Sequence, residues 1–250
     1  MNKKFDTKNY EFNKNSKNGV LIIHGFSSTT YEVKELAQFL GINGYHSVAK
    51  NLPGHGTTVE NCNKIRFQDW LYFIKEEIAK LASQSENIYI VGCSMGAVLA
   101  LYGASSFPLN GCVVGGTVFD FNNPLTIKYL IPLFSHILKT RNKKSMQPKN
   151  KRNEVKFYGY DEYPLIALNE MRKLNNFVKK KLPEVTCPSL IIHSHADKMS
   201  VVKNVQIVYD SIKSEKKEKK FFNKAHHNLF DANPDQQLIF NKILSFLKKN

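Results

Sequence analysis

Four short runs of unbroken apolar residues do most to constrain what this chain can fold into. Val20-Leu21-Ile22-Ile23 leads into His24-Gly25, Ile88 to Val91 into Gly92, Cys112-Val113-Val114 into Gly115, and Leu190-Ile191-Ile192 into His193-Ser194. A strand with one wet face alternates apolar and polar residues, whereas a strand covered on both faces does not, and such strands belong to parallel sheets. Helical spacing fills the gaps between the runs. Apolar residues fall at 33, 36, 37 and 40, and again at 70, 71, 74, 78 and 81, with Glu76, Glu77 and Lys80 on the opposite face. Strands alternating with helices of this length indicate an α/β fold with a doubly wound, mostly parallel sheet. At 250 residues, 42% of them hydrophobic, the chain suits one domain carrying a modest insertion.

The alternation lapses between about Asp120 and Pro183. Helical stretches at Leu125 to Leu138 and Pro164 to Lys181 are separated there by the polar run Lys139 to Asn153, and strand character resumes at Pro188. The expected organisation is a core formed by residues 1–119 and 186–250, with a helical cap inserted at 120–185. Within that cap, Tyr129 to Leu138 is apolar enough to line a pocket for an aliphatic chain, and at ten residues it is too short to span a bilayer.

A net charge of +15 resembles a nucleic-acid signature, but its distribution argues otherwise. The window 139–183 holds 13 Lys and Arg against 4 Asp and Glu, a net +9, and a second Lys-rich patch covers Lys213 to Lys224. Neither carries the interleaved aromatic residues of a base-stacking platform. A solvated basic surface is expected, with room for weak contact with anionic lipid surfaces or attraction of anionic substrates, and with no nucleic-acid partner. Cys62, Cys93, Cys112 and Cys187 form no CxxC pair, and residues 5–18 lack the apolar run of an export signal. Buried thiols and a cytoplasmic protein are therefore expected, without stable membrane insertion.

Gly92-Cys93-Ser94-Met95-Gly96 matches G-x-S-x-G. The pattern arises by chance in roughly one chain of this length in ten, so its setting carries the weight. It follows the run Ile88 to Val91 at once and precedes the helix-forming Ala97 to Leu101. Strand, sharp turn and helix is the setting of a nucleophile elbow, in which small flanking residues let the serine project outward. The Met95 N–H at the helix start and the Phe26 N–H just past the first strand are the expected oxyanion donors. A serine hydroxyl needs a histidine to take its proton and a carboxylate to hold that histidine in one tautomer. The chain order points to Ser94, Asp197 and a late histidine, for which His226 is preferred over His227, with Asp120 as the rival acid. His24 and His55 are read as braces of their loops.

One competing pattern is His193-Ser194-His195-Ala196-Asp197, which reads as the H-x-H-x-D of metallo-β-lactamase-like hydrolases. The cation at Lys198 stands where that family places another histidine and opposes a metal, so none is expected.

Together these residues resemble the α/β-hydrolase superfamily, and within it the small bacterial carboxylesterases and monoacylglycerol lipases. The similarity runs from about Gly19 onward: the His-Gly-Phe turn, Pro53-Gly54-His55-Gly56, the elbow, an inserted cap, an acid after a strand, and a histidine before the last helix. It implies Ser94 as nucleophile, Asp197 as acid, His226 as base, an oxyanion hole from Phe26 and Met95, and no cofactor. The implied activity is hydrolysis of short- to medium-chain acyl esters, small-molecule substrates, through an acyl-serine intermediate. An acyltransferase or thioesterase using the same residues, or a ligand sensor of low turnover, are the alternatives.

Overall fold

The computed structural model describes residues 4–121, 125–146 and 158–250. The positions 147–153 of the polar run therefore lie outside the described residues. Strands, in chain order, are β1 (Tyr10–Phe12), β2 (Asn18–Ile23), β3 (His46–Ala49), β4 (Asn87–Cys93), β5 (Gly111–Gly115), β6 (Thr140–Asn142), β7 (Glu162–Pro164), β8 (Ser189–Ser194) and β9 (Lys217–Phe222). The main sheet has seven of them in the order β1-β3-β2-β4-β5-β8-β9. All its pairings are parallel except the antiparallel edge strand β1 on β3. Helices are α1 (Lys34–Ile42), α2 (Val59–Lys64), α3 (Phe67–Ala82), α4 (Met95–Ser106), α5 (Ile131–Phe134), α6 (Leu165–Lys181), α7 (Lys203–Ser211) and α8 (Gln236–Lys249).

The apolar runs are unbroken because successive residues enter different cores. Leu21, Ile23, Ile90, Cys112, Val114 and Ile191 face one cluster with residues of α3, α4 and α6. Val20, Ile22, Val91, Val113, Leu190 and Ile192 face a second with residues of α1 and α8. With a period of two, a strand sandwiched between helical layers must be apolar at every position. Helix α4 is buried at every residue from Met95 to Ala104, which explains why its sequence has no polar face.

The Lys213–Lys224 patch is in part a strand. β9 pairs parallel with β8 and closes the sheet edge. Its lysines lie along the surface: Lys217 Nζ donates to the Tyr209 and Ile212 carbonyls at 2.8 and 2.9 Å, and Lys219 Nζ sits 4.2 Å above the Tyr209 ring. Aliphatic stems cover the strand while ammonium groups keep another chain from pairing with it. Lysine-rich composition hid this strand from sequence reading.

Between β5 and β8 the chain leaves the sheet. A π-helical turn, Thr126–Leu130, runs into α5, a β6–β7 ribbon follows, and α6 returns to the core. Leu125, Tyr129, Leu133 and Ile137, spaced by four, are exposed to solvent. Ile127, Leu130, Ile131, Phe134 and Leu138 line a cavity, with Leu130, Phe134 and Leu138 also partly open to solvent. The α6 helix does more than cover that cavity, because its Ala167, Met171, Leu174 and Val178 belong to the same core cluster as α4. Among the described residues no helix is long and apolar enough to cross a membrane.

Candidate active site

The elbow lies where β4 meets α4. Ser94 caps the helix with φ 57° and ψ −120°, a left-handed conformation that a serine adopts only where its surroundings impose it. Those surroundings are tight. A Cβ on Gly92 would stand 2.0 Å from the Gly96 carbonyl oxygen, and one on Gly96 would stand 2.2 Å from the Ile23 carbonyl oxygen. Ser94 N–H donates to the Gly115 carbonyl at 2.9 Å, which ties the turn to β5.

Ser94 Oγ donates to His227 Nε2 at 2.9 Å, and His227 Nδ1 donates to Asp197 Oδ2 at 2.7 Å. This corrects the expectation for the histidine: His227, not His226, meets Ser94 and Asp197. The loop after β9 is held by Asp235, whose Oδ2 accepts the Lys224 and Ala225 N–H groups at 2.7 and 2.9 Å. Ala225 is fully buried, and burial alternates along Ala225, His226 and His227. His226 is therefore turned to solvent, and His227 is turned inward. Ala225 is the one apolar residue between Asn223 and Asn228, and its parity was the available signal.

Asp197 follows β8, as expected from its place in the chain. Burial pushes its carboxyl up, but the hydrogen bond and charge of His227, with the Ser200 and Met199 amides at 3.0 and 2.7 Å, hold it below the usual carboxylate range. Asp120 lies elsewhere, facing Lys179 and Lys203 at 3.8 and 4.0 Å. His195 stacks on Phe221 with ring centroids 5.1 Å apart, and His193 is buried with neither ring nitrogen hydrogen-bonded among the described residues. The H-x-H-x-D run thus spreads its side chains to different surroundings, and among the described residues no three His, Cys, Asp or Glu side chains are grouped to hold a metal ion.

The Gly25–Ser28 loop is braced on several sides. His24 Nδ1 donates to the Gly25 carbonyl at 2.8 Å and its Nε2 accepts the Leu52 N–H at 3.1 Å, while burial pulls its pKa down to about 4. His55 Nε2 accepts the Ser27 N–H at 3.1 Å. Gly25 N–H donates to Glu32 Oε2 at 2.9 Å. Ser28 N–H returns to the Gly25 carbonyl at 3.3 Å. These bonds engage the amides around Phe26 and leave its own N–H outside them. Across the site, the Ala97 and Val98 N–H groups return to the Ser94 carbonyl at 3.1 and 3.4 Å, and the Met95 N–H opens the helix ahead of them. Two first-turn amides at a strand end and a helix start can converge on a developing oxyanion.

Three further residues support the site: Cys93, expected only as a buried thiol, and Lys143 and Glu32, which the sequence did not single out. Cys93 Sγ donates to the His227 carbonyl at 3.5 Å, and burial raises its thiol well above the ordinary range, so it supports the histidine loop as a neutral group. Lys143 is only 3% exposed, and burial lowers its pKa to about 7 against the opposing charge of Asp161. Its Nζ donates to the Tyr158 and Ser27 carbonyls at 3.0 and 3.5 Å. Glu32 is buried on the cavity wall, and burial raises its pKa despite the Gly25 N–H. A neutral carboxyl is therefore favoured in the fold, and ionisation costs stability as pH rises from the unfolded carboxylate pKa through the raised folded value. Glu32→Gln, which keeps an acceptor for Gly25, is expected to fold and to lose this destabilisation on raising the pH. Glu32→Ala is expected to cost about 1–3 kcal/mol by leaving the Gly25 N–H buried and unpaired. Denaturant melts at several pH values check both, and identical pH dependence in Glu32→Gln and the parent protein would refute the account.

Ser94 and His227 open onto a cavity of about 780 Å³. Leu130, Ile131, Phe134, Leu165, Leu168 and Met171 form its apolar wall.

Comparison with known proteins places this geometry. The profile of the family described as serine aminopeptidase, S33 (Hydrolase_4) matches residues 14–234. A thermostable monoacylglycerol lipase from a Bacillus species is 29% identical over 237 residues, covering 93% of this chain and 91% of that protein. A carboxylesterase from Bacillus subtilis is 24% identical, with 92% of each chain covered. Among solved structures, one from a study of the metagenome-derived lipolytic enzymes LipS and LipT superposes with a TM-score of 0.86 at 24% identity, covering 98% of both chains. With a family match across most of its length and a parallel sheet carrying an elbow serine, this chain belongs to the serine aminopeptidase S33 family of α/β-hydrolases.

Proposed function

We propose that this protein is a serine carboxylic-ester hydrolase that acts through an acyl-serine intermediate on short- to medium-chain acyl esters, monoacylglycerols among them. The observation that carries the reading is the Ser94–His227–Asp197 hydrogen-bond chain opening onto a cavity with an apolar wall. His227 Nε2 takes the Ser94 proton as Oγ attacks the ester carbonyl, and Asp197 stabilises the imidazolium that forms. The Phe26 and Met95 amides receive the oxyanion, each contributing on the order of 10²–10³ in kcat. His227 then protonates the leaving alcohol. Water enters, His227 deprotonates it in turn, and the acyl group leaves as the acid.

Residues 120–185 serve in this reading as the cap that shapes substrate choice, with the acyl chain laid along Leu130, Ile131, Phe134 and Met171. The lipase and carboxylesterase relatives favour esters over the peptides that the family's description names.

A fluorophosphonate probe followed by peptide mass mapping tests the intermediate, with the adduct expected on Ser94. A p-nitrophenyl ester series tests the pocket: kcat/KM should change with acyl length, while an aminoacyl p-nitroanilide remains uncleaved. Labelling elsewhere, or equal rates from acetate to laurate, would overturn the mechanism or the pocket assignment respectively. Labelling without turnover of any ester would favour a ligand sensor, and faster transfer to an added alcohol than to water would favour an acyltransferase.

A further inference from the structure

The cavity wall is not uniformly apolar. Arg141, in β6, and Lys143, just after it, both line the cavity. Glu32 is the one acidic residue facing them among the described lining residues, and its burial favours the neutral form. Two basic side chains and one carboxyl thus share the described wall, so basic groups outnumber acidic ones there. Among the described residues the Arg141 guanidinium makes no ion pair or hydrogen bond, although its backbone pairs with Tyr163 of β7. Ser135 Oγ, buried on the same wall, has no hydrogen-bond partner among the described residues either. The Arg141 guanidinium, solvated at an exposed position, and the buried Ser135 hydroxyl are donors that an oxygen-rich group in the cavity can meet.

Position decides which part of a substrate they meet. Lys143 Nζ lies 3.5 Å from the Ser27 carbonyl, and Ser27 follows Phe26, whose N–H is the proposed oxyanion donor. Lys143 therefore stands beside the loop that would receive the ester carbonyl. The aliphatic wall formed by Leu130, Phe134, Leu165 and Met171 suits a chain rather than a charge. An anion near the carbonyl, with the acyl chain on the apolar wall, belongs to the alcohol half of the ester.

We propose that Arg141 and Lys143 form a subsite for an anionic group on the leaving alcohol, so that the preferred substrate class is a monoacylglycerol bearing a phosphate, a lysophosphatidic acid. This rests on the ester-hydrolase reading and specifies its substrate. Hydrolysis would release the fatty acid and glycerol phosphate, with water supplying the oxygen of the acid and the proton of the alcohol.

The test compares 1-decanoylglycerol with 1-decanoylglycerol 3-phosphate, both below their micellar concentrations, on the parent protein, Arg141→Gln and Lys242→Gln. The parent is expected to favour the phosphate ester in kcat/KM by at least tenfold. Arg141→Gln should raise KM for that ester about tenfold, on the scale of one charge-assisted hydrogen bond, and leave the neutral ester within twofold. Lys242→Gln, which removes one remote surface charge, should leave the ratio unchanged. Arg141 lies on an exposed strand position, so its replacement does not threaten the fold. Equal turnover of the two esters, or an equal effect of Arg141→Gln on both, would overturn the subsite while the hydrolase reading stands. An equal effect of Lys242→Gln would reassign the preference to the overall charge. Hydrolysis of neither ester, with no fluorophosphonate adduct at Ser94, would overturn both readings.

Discussion

His227→Ala is expected to lower kcat/KM for p-nitrophenyl butyrate on the order of 10⁴- to 10⁶-fold. His226→Ala, by contrast, should leave it within about twofold, as an exposed substitution that touches no part of the site. The two histidines are adjacent in sequence and chemically identical, so the contrast isolates position. His227 is 8% exposed and bonded on both ring nitrogens, whereas His226 is exposed. The loss should be in kcat, because the proton acceptor contributes to the transition state and little to ground-state binding. Thermal melts of both variants distinguish lost chemistry from lost fold. Activity retained in His227→Ala and abolished in a folded His226→Ala would refute the arrangement of the site.

The second large effect is structural. Gly96→Ala is expected to destabilise the protein by roughly 3 kcal/mol or more, the upper range for overpacking, because the new methyl would meet the Ile23 carbonyl oxygen at 2.2 Å. Backbone is the obstacle, so no rotamer change relieves the clash, and α4 must move away from β2. That movement would carry Ser94, at the head of α4, away from His227, so activity should fall together with stability. For a domain of this size the melting temperature should drop by roughly 6–12 °C. Ala97→Gly, one residue along the same helix, serves as comparison, since it removes a methyl instead of adding one and costs about 1 kcal/mol of propensity with a small packing loss. A Gly96→Ala protein that melts within 2 °C of the parent would show that the elbow is looser than its contacts indicate.

Much of this architecture was legible in the chain. The four apolar runs became β2, β4, β5 and β8, the inner strands of the sheet that lie between its helical layers. Burial on both faces leaves an unbroken apolar signature that little else imitates. The helices predicted at 33–40 and 70–81 became α1 and α3, each with one buried face. The less visible strands were the edges β1 and β9, short or lysine-rich because an edge strand is judged by solubility as much as by burial. So was β3 beside β1, whose four buried residues begin with the polar His46 and Ser47. Helix α7 also escaped notice: its buried residues are only Asn204, Val205 and Val208, too few to mark a period.

At the site the division is sharper. The elbow serine was readable because the elbow is local: glycine, serine and glycine lie within five residues, and the flanking strand and helix are contiguous with them. The place of the acid followed from a strand end, another local feature. The choice between His226 and His227 was not local, because it depends on which way a loop anchored by Asp235 turns as it crosses the sheet. Glu32 and Lys143 lie 62 and 49 residues of chain from Ser94, and only folding brings both to the wall of one cavity. The sequence by itself determined the layered α/β sheet and the serine at its elbow, since periodicity and sharp turns are written in neighbouring residues. Which histidine faces that serine, and which charges share its cavity, was decided by tertiary structure alone, because those contacts join residues that only the packing of distant elements sets within hydrogen-bond reach.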